Sequence, residues 1–312
     1  MFRTRVSVTT LVVALAAAAC GGTATTSTDP PDTAAGTSSA SFPYTVESGG
    51  VRTVVASQPV AIVSLSPTAT EMLFAIGAGP QVVAVDEYSY HPPEAPVTDL
   101  SGFTPNLEAI ASYGPDLVVV SDDIDGIASA LDEVGIPVLV LPTATMVDDA
   151  YRQIRVLGGA TGRVEEAETL ASDMQAEIEA LVAGVAGSPG PLTYYHELGS
   201  DGGGSFYSVT SSTFVGEVFG AFGLENVADP ADVDGFGYPV LSVEFIIDAD
   251  PDLIFYTSCC GDTPETISAR PGWDSIEAVR SGALYELDDD LSSRWGPRLV
   301  EFFRIVAEAL RR

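Results

Sequence analysis

A pattern that occurs twice constrains the fold of this 312-residue chain more than any other feature of its sequence. Glu108 is followed at +7, +8 and +9 by Pro115-Asp116-Leu117 and an apolar run. Glu244 is followed at the same spacings by Pro251-Asp252-Leu253 and an apolar run. A looser match relates three residues of each half: Ser66, Glu71 and Gly77 to Ser212, Glu217 and Gly223. An internal repeat of this kind predicts two lobes of one topology.

Short apolar runs alternate with helix-like segments through most of the chain. In the first half, strands are predicted at 60–65, 82–85, 116–121 and 137–141, and helices at 68–76, 106–112 and 127–134. The alternation resumes over 192–195, 213–222, 243–247, 252–257 and 284–287, and an amphipathic helix at 297–310 closes the chain. Strands that alternate with helices indicate a mostly parallel sheet covered on both faces.

The segment between the two halves has a different pattern. No Pro occurs from 146 to 185, and 164–181 carries apolar residues three and four apart. This predicts a long helical segment, interrupted near Gly158-Gly159. We therefore predict an α/β fold of two lobes, each with a mostly parallel central sheet flanked by helices. A long backbone helix (146–187) joins the N-terminal lobe (51–145) to the C-terminal lobe (188–312), and a ligand cleft lies between the lobes.

The N-terminus has the pattern of an export signal. Arg3 and Arg5 precede an apolar stretch that ends in small residues at Cys20, which predicts a signal peptide over 1–19. Ala17-Ala18-Ala19-Cys20 resembles the bacterial lipobox, although Leu is usual where Ala17 stands. Lipidation of Cys20 is predicted, with ordinary cleavage at the alanine run as the alternative. Residues 20–50 are then a flexible linker, and the protein is exported and held at the outer face of the cytoplasmic membrane only through its lipid anchor.

Charge and residue counts exclude several kinds of function. The chain has 13 basic residues, all Arg, against 44 Asp and Glu, a net charge of −31 that repels nucleic acid. Two His residues are too few for a three-His metal site, and three Cys residues are too few for a four-Cys site. Neither a nucleophile elbow nor a phosphate-binding loop is present. No cofactor, resident metal or catalytic residue is predicted, and a secreted hydrolase stays only as the alternative from a different class.

Several motifs together carry a resemblance to a known family. They are Val63-Ser-Leu-Ser-Pro-Thr-Ala-Thr-Glu71, Tyr88 with Pro92-Pro93-Glu94-Ala95, Asn106-Leu-Glu-Ala-Ile110, Gly272-Trp273 and Asp290 through Arg298. In this order they resemble the helical-backbone (class III) solute-binding proteins of bacterial ABC importers, over about residues 58 to 311. The vitamin B12 and corrinoid binders are the closest branch, and the iron-siderophore binders are its sister branch. The resemblance implies a monomer that delivers its ligand to an ABC permease dimer with ATPase subunits.

The resemblance also implies roles for individual residues. Glu108 and Glu244 would dock the loaded protein onto Arg residues of the permease. Without the resemblance, each Glu could equally complement a helix N-terminus. A corrinoid would be held edge-in between aromatic side chains at the matching positions, which are Tyr88, Phe103, Tyr207 and Tyr238. Some relatives carry Trp where this chain has Phe103 and Tyr238. Asp290 and Arg294 would hydrogen-bond peripheral amides of the ligand.

Four further residues remain open from sequence. His91, in a loop that meets ligand in relatives, and His196, at the end of a predicted strand, could contact the ligand, or each could be an ordinary hydrogen-bonded residue. Cys259 and Cys260 follow a predicted strand, and with Cys20 lipidated they have only each other as partners. A bridge between them is favoured over two reduced thiols.

The alternative ligands are a siderophore and haem. Ferric catecholates are strongly anionic, and their binders usually supply several cationic side chains. Here Arg294, Arg298 and Arg52 are the candidates that a cleft could use. A neutral hydroxamate siderophore would escape this argument, so the sequence favours a cobalamin-like corrinoid without excluding the sister ligands.

Overall fold

The computed structural model describes residues 41–185 and 191–311, which fall in one compact unit. The signal peptide, Cys20 and the linker as far as residue 40 lie outside the described residues, so those predictions stay as they are. The side chain of Cys260 is also outside the description.

The first described element is a β-hairpin that begins inside the predicted linker. Strand β1 (Tyr44–Ser48) pairs antiparallel with β2 (Val51–Val55), with Tyr44 opposite Val55. Gly49 and Gly50 connect them at φ values of 57° and 76°, a backbone region that suits a two-residue hairpin turn and disfavours other residues. The Tyr44 ring packs against Gly159, where an added Cβ would lie 2.4 Å from it. The predicted linker boundary at residue 50 is therefore wrong, because apolar side chains of this hairpin pack on the core.

The N-terminal lobe is built on a five-stranded sheet of parallel strands in the order β5-β4-β3-β6-β7. The strands are β3 (Ile62–Leu65), β4 (Val82–Asp86), β5 (Val97–Leu100), β6 (Leu117–Val120) and β7 (Val138–Val140). Its helices are α1 (Pro67–Ala75), α2 (Leu107–Ala111) and α3 (Ile127–Glu133). Every residue of β3, β6 and β7 is buried, which explains why these strands are continuous apolar runs in the sequence rather than alternating ones.

Two helices, rather than one, connect the lobes. Helix α4 (Val147–Thr161) ends at Gly162, whose φ of 77° stops it, and α5 (Val164–Ala183) follows. The interruption predicted near Gly158-Gly159 lies three residues later, at Gly162, because that pair stays helical and serves packing instead. A Cβ on Gly158 would lie 2.4 Å from the Cβ of Ala167, so the glycine lets α4 and α5 approach closely. The buried stripe of α5 has the predicted three-and-four spacing.

The C-terminal lobe has a six-stranded sheet in the order β11-β9-β8-β12-β13, with β10 paired to β8. The strands are β8 (Thr193–Ser200), β9 (Ser205–Ser208), β10 (Glu225–Asn226), β11 (Val240–Ser242), β12 (Leu253–Thr257) and β13 (Leu284–Leu287). Strand β9 runs antiparallel to both of its neighbours, β8 and β11, and the other paired strands are parallel. The helices are α6 (Phe214–Gly220), α7 (Val243–Ala249), α8 (Pro264–Ser268), α9 (Glu277–Ser281), α10 (Asp289–Ser293) and α11 (Leu299–Ala309). The α/β fold with two mostly parallel sheets flanked by helices is confirmed.

The sequence repeat corresponds to a repeated contact. Asp116 accepts hydrogen bonds from the backbone N–H groups of Val60 and Ala61, at 2.9 and 3.1 Å, just before β3. Asp252 accepts from the backbone N–H and the hydroxyl of Thr193, at 2.8 and 2.9 Å, at the start of β8. In each lobe, an Asp that directly precedes one central strand (β6 or β12) therefore hydrogen-bonds to the start of the neighbouring central strand (β3 or β8).

Candidate functional site

Two adjoining cavities lie where the two lobes face each other. The larger cavity, about 850 Å³, is lined by the β3–α1 junction, by the loops after β4 and β5, and by α10. The smaller cavity, about 460 Å³, is lined mainly by α6, by the loop before β11 and by α10. They share four residues: Thr143, Asp289, Ser293 and Trp295. The two cavities therefore lie side by side in the cleft, and both lobes contribute to its walls.

Three of the four predicted aromatic contacts line this cleft. Tyr88 and Phe103 line the larger cavity, where their rings meet edge to face with centroids 5.7 Å apart. Tyr238 lines the smaller cavity and is 60% exposed. Tyr207 is exposed on β9 and lines neither of these two cavities. Phe103 is 71% exposed, so a broad apolar surface is available to a ligand.

The predicted pair Asp290 and Arg294 lines the larger cavity and forms an ion pair of 2.6 Å across one helical turn. Tyr90 adds to the pair: its hydroxyl donates to Asp290 at 3.0 Å, and its ring lies under the Arg294 guanidinium at 5.0 Å. The hydrogen bond to Asp290 is the main cause that raises the pKa of Tyr90. Tyr90 is not among the residues predicted from sequence, where its one signal is its position two residues after Tyr88.

A buried carboxylate holds these groups from behind. Glu71, on α1 and 3% exposed, accepts two hydrogen bonds from Arg298, at 2.6 and 2.9 Å, and one from Arg294 at 3.1 Å. Arg294 also donates to the backbone carbonyl of Tyr88 at 3.2 Å. Glu71 has no role among the residues predicted from sequence, although a lone Glu among the apolar residues of a helix is a signal that it has a buried partner.

The cleft is acidic. Four carboxylates line the larger cavity: Asp86, Asp122, Asp289 and Asp290. Burial raises the pKa of Asp86, and burial followed by the neighbouring carboxylates raises that of Asp289. Arg294 is the only basic side chain lining either cleft cavity among the described residues, and its charge is already balanced by Glu71 and Asp290.

The other two arginines considered for the cleft lie elsewhere. Arg298 is bound to Glu71 and lines a third cavity of about 320 Å³. Arg52 lines a separate cavity beside β2 and α3. The expectation that they could supply cleft cations is therefore wrong.

The two histidines are not in the cleft. His91 lines the third cavity, which shares no residue with the larger or the smaller cavity. His196 is completely buried and packs edge to face on Phe219, with ring centroids 5.6 Å apart. Neither of its ring nitrogens has a hydrogen-bond partner among the described residues. Of the two alternatives left open for His196, the structure favours an interior residue, because β8 continues to Ser200 and places His196 inside the strand rather than at its end.

The predicted bridge between Cys259 and Cys260 stays a prediction, because the Cys260 side chain lies outside the described part of the chain. Cys259 follows β12, and its sulfur lies 3.3 Å from the Thr257 hydroxyl and 3.6 Å from the Leu198 carbonyl oxygen. Leu198 lines the smaller cavity, so this loop borders the cleft.

Glu108 and Glu244 occupy equivalent exposed positions. Each is the second residue of its helix, α2 or α7. The side chains of Asn106 and Ser242 cap these helices by accepting from the N–H groups of Ala109 and Phe245. Within the described residues neither glutamate makes a hydrogen bond, so both carboxylates are free to meet a partner.

Within residues 41–185 and 191–311, no group of three or more His, Cys, Asp or Glu side chains is arranged to hold a metal ion. None of the helices in that part is both long and apolar enough to cross a bilayer.

Comparisons with known proteins agree with this architecture. Residues 62–291 match the family model described as periplasmic binding protein. An uncharacterized ABC transporter substrate-binding lipoprotein of Bacillus subtilis is 29% identical over 288 residues, 89% of each chain. A cobalamin-binding protein of Halobacterium salinarum is 29% identical over 284 residues, 87% of this chain and 75% of that one. A periplasmic heme-binding protein from Roseiflexus sp. RS-1 has a similar structure, with a TM-score of 0.69 and 26% identity over 81% of this chain and 98% of that one.

Proposed function

This chain belongs to the periplasmic binding protein family, and on that premise we propose that it captures a cobalamin-like corrinoid in the cleft between its lobes. It is a solute-binding protein of ABC-type transport and not an enzyme. Within that role, the ligand is set by the polarity of the cleft rather than by the fold.

The observation that carries the proposal is an acidic cleft with exposed aromatic walls. Four carboxylates surround the larger cavity, and its one arginine is already paired. A polyanionic ferric catecholate, or haem with its two propionates, would meet repulsion there. A corrinoid is a broad, mostly neutral macrocycle whose peripheral amides donate hydrogen bonds. Carboxylate oxygens suit those donors, and the faces of Tyr88 and Phe103 suit the macrocycle.

Two side chains would orient the ligand amides. Asp290 has an oxygen held by Tyr90 and Arg294, and its carboxylate lines the cavity, so it would accept from an amide N–H. Arg294 would donate to an amide oxygen from a position that Glu71 stabilises. The resemblance in sequence to the cobalamin-binding protein of Halobacterium salinarum supports a corrinoid over the sister ligands. Tyr207 stays a predicted contact, although it lines neither cavity.

Delivery would use the two exposed glutamates. Glu108 and Glu244 would meet basic residues of a permease dimer that carries ATPase subunits, because exposed charges govern encounter and register. Export, lipidation at Cys20 at the outer face of the cytoplasmic membrane, and action as a monomer complete the proposal.

Ligand retention tests this function directly. The protein is incubated separately with cyanocobalamin, a ferric catecholate, a ferric hydroxamate and haem, then freed of unbound ligand, and its absorbance spectrum is recorded. We expect the corrinoid to be retained and the two anionic ligands to be lost. Retention of the hydroxamate alone, or of haem alone, would overturn the proposal and would identify the ligand class in the same experiment.

A further inference from the structure

The smaller cleft cavity differs in chemistry from the larger one. Its walls are mainly apolar, with Leu198, Val209, Phe214, Val215 and Trp295 among them. The rings of Phe214 and Trp295 meet edge to face with centroids 6.4 Å apart. Among the described residues, Asp289 is the only carboxylate or basic side chain on its lining, whereas the larger cavity has four carboxylates and an arginine. A neutral apolar group fits the smaller cavity, and a polar, amide-bearing body fits the larger one.

One ligand can occupy both cavities. The two cavities adjoin, because Thr143, Asp289, Ser293 and Trp295 line both. At about 460 Å³, the smaller cavity has room for a substantial ring system rather than a single methyl group.

Two exposed aromatic side chains stand on the loop that borders the smaller cavity. Phe236 is 81% exposed and Tyr238 is 60% exposed, and both line this cavity. Gly235 and Gly237 flank Phe236 at φ values of 70° and 82°, which non-glycine residues rarely adopt. A large apolar side chain exposed beside an apolar cavity gains burial when a flat apolar ligand group enters.

We infer that the smaller cavity is a separate subsite for a neutral, planar aromatic group carried by the same ligand. This inference rests on the proposed function. For a corrinoid, the group is the aromatic nitrogen base present in complete corrinoids and absent from incomplete ones. The protein then distinguishes complete from incomplete corrinoids, with Phe236 as a specificity-determining residue. The macrocycle and its amides stay in the larger cavity in both cases.

Calorimetric titration with two corrinoids tests the subsite. Cyanocobalamin carries the aromatic base, and dicyanocobinamide lacks it. Phe236→Ala removes one wall of the smaller cavity, and Ser212→Trp fills the cavity from an exposed lining position. Val233→Trp is the matched control, because Val233 is 91% exposed on the same loop as Phe236 and lines neither cavity.

The expected result is at least a tenfold preference of the unaltered protein for cyanocobalamin. Phe236→Ala and Ser212→Trp should lower the affinity for cyanocobalamin about 5- to 150-fold and leave the affinity for dicyanocobinamide within about twofold of its original value. Val233→Trp should change neither affinity. Equal affinities in the unaltered protein, or equal weakening of both ligands by the two cavity variants, would overturn the subsite but leave corrinoid binding standing. Failure of both corrinoids to bind would overturn the subsite and the proposed function together.

Discussion

At the scale of single residues, Glu71 is the side chain on which the geometry of the cleft depends most. It is 3% exposed and is bound to two arginines that follow it in the sequence by 223 and 227 positions. Nothing near Glu71 in the sequence identifies those partners. Asp290 and Arg294 were predictable from sequence, but the carboxylate that binds Arg294 from the other lobe was not.

The first prediction concerns this buried ion pair. Glu71→Gln leaves Arg294 and Arg298 without their shared counter-charge in a poorly solvated position. We expect a loss of about 3–5 kcal/mol in the free energy of unfolding, measured by urea denaturation. Glu133→Gln, an exposed change of the same chemistry, should cost less than about 0.5 kcal/mol. Similar small losses in both variants would contradict a structural role for the Glu71 cluster.

The second prediction concerns pH and His196. Burial lowers the pKa of His196 from 6.5 to about 3. Between those values the unfolded chain binds a proton that the folded chain does not, so this residue makes stability fall as the pH falls. The fall should reach about 2 kcal/mol between pH 7.5 and pH 5. His196→Leu should remove that part of the pH dependence, while all carboxylates titrate alike in both proteins. Parallel stability curves for the two proteins would refute this assignment.

At the scale of elements, the glycines of α4 illustrate what a local pattern can and cannot indicate. Gly158-Gly159 was interpreted as a helix break because glycine is a poor helix former. The chain breaks instead at Gly162, and Gly158 is required by its contact with α5. Glycine thus has two roles in this segment: Gly162 ends the helix, and Gly158 allows close packing. Only the position of α5 shows which glycine has which role.

The third prediction follows from that contact. A Cβ on Gly158 would lie 2.4 Å from the Ala167 Cβ and 2.9 Å from the Arg163 carbonyl oxygen, and neither atom belongs to a flexible side-chain end. Gly158→Ala should therefore separate α4 from α5 and destabilise the protein by about 1–3 kcal/mol. Gly220→Ala is the matched control, since Gly220 ends α6 with nothing within 4 Å of its added Cβ. It should be neutral or slightly stabilising in thermal denaturation. A neutral Gly158→Ala would show that the helices have room to move.

At the scale of the whole molecule, the lobes are linked by more than their connecting helices. Glu71 of the N-terminal lobe binds Arg298 just before α11, and Glu217 on α6 accepts from the Val147 N–H at the start of α4, at 2.6 Å. These two carboxylates occupy matching positions in the sequence repeat, and both fasten a segment that lies outside their own helix. Such cross-links should limit relative movement of the lobes.

The fourth prediction is accordingly that ligand closes the cleft only slightly. Helices and inter-lobe ion pairs resist bending more than extended linkers do, so the radius of gyration should be the same with and without cyanocobalamin within error. Small-angle X-ray scattering measures it. A decrease of several ångströms would rule out the rigid connection.

The fifth prediction separates ligand capture from delivery. Replacing Glu108 and Glu244 together with Ala should leave corrinoid affinity nearly unchanged, because neither residue lines a cleft cavity. Uptake through the permease should be abolished, because the charges that set the docking register are gone. The pair Glu133→Ala and Glu165→Ala, which removes the same charge from other exposed sites, should leave uptake intact. If the Glu108 and Glu244 double variant instead loses ligand affinity, the assignment of these two residues to a docking surface outside the cleft is wrong.

The sequence by itself determined the features that depend on neighbours along the chain. Strand runs, helix stripes and the Glu–Pro-Asp-Leu spacing are local signals, and they were enough for two α/β lobes and for the exposed positions of Glu108 and Glu244. Tertiary structure alone decided the features that depend on distant partners. It paired Glu71 with Arg298, extended β8 beyond His196 so that the ring is buried, and placed an acidic cavity beside an apolar one. The physical reason is that burial and charge pairing are set by segments brought together in space, and spacing along the chain does not record which segments meet.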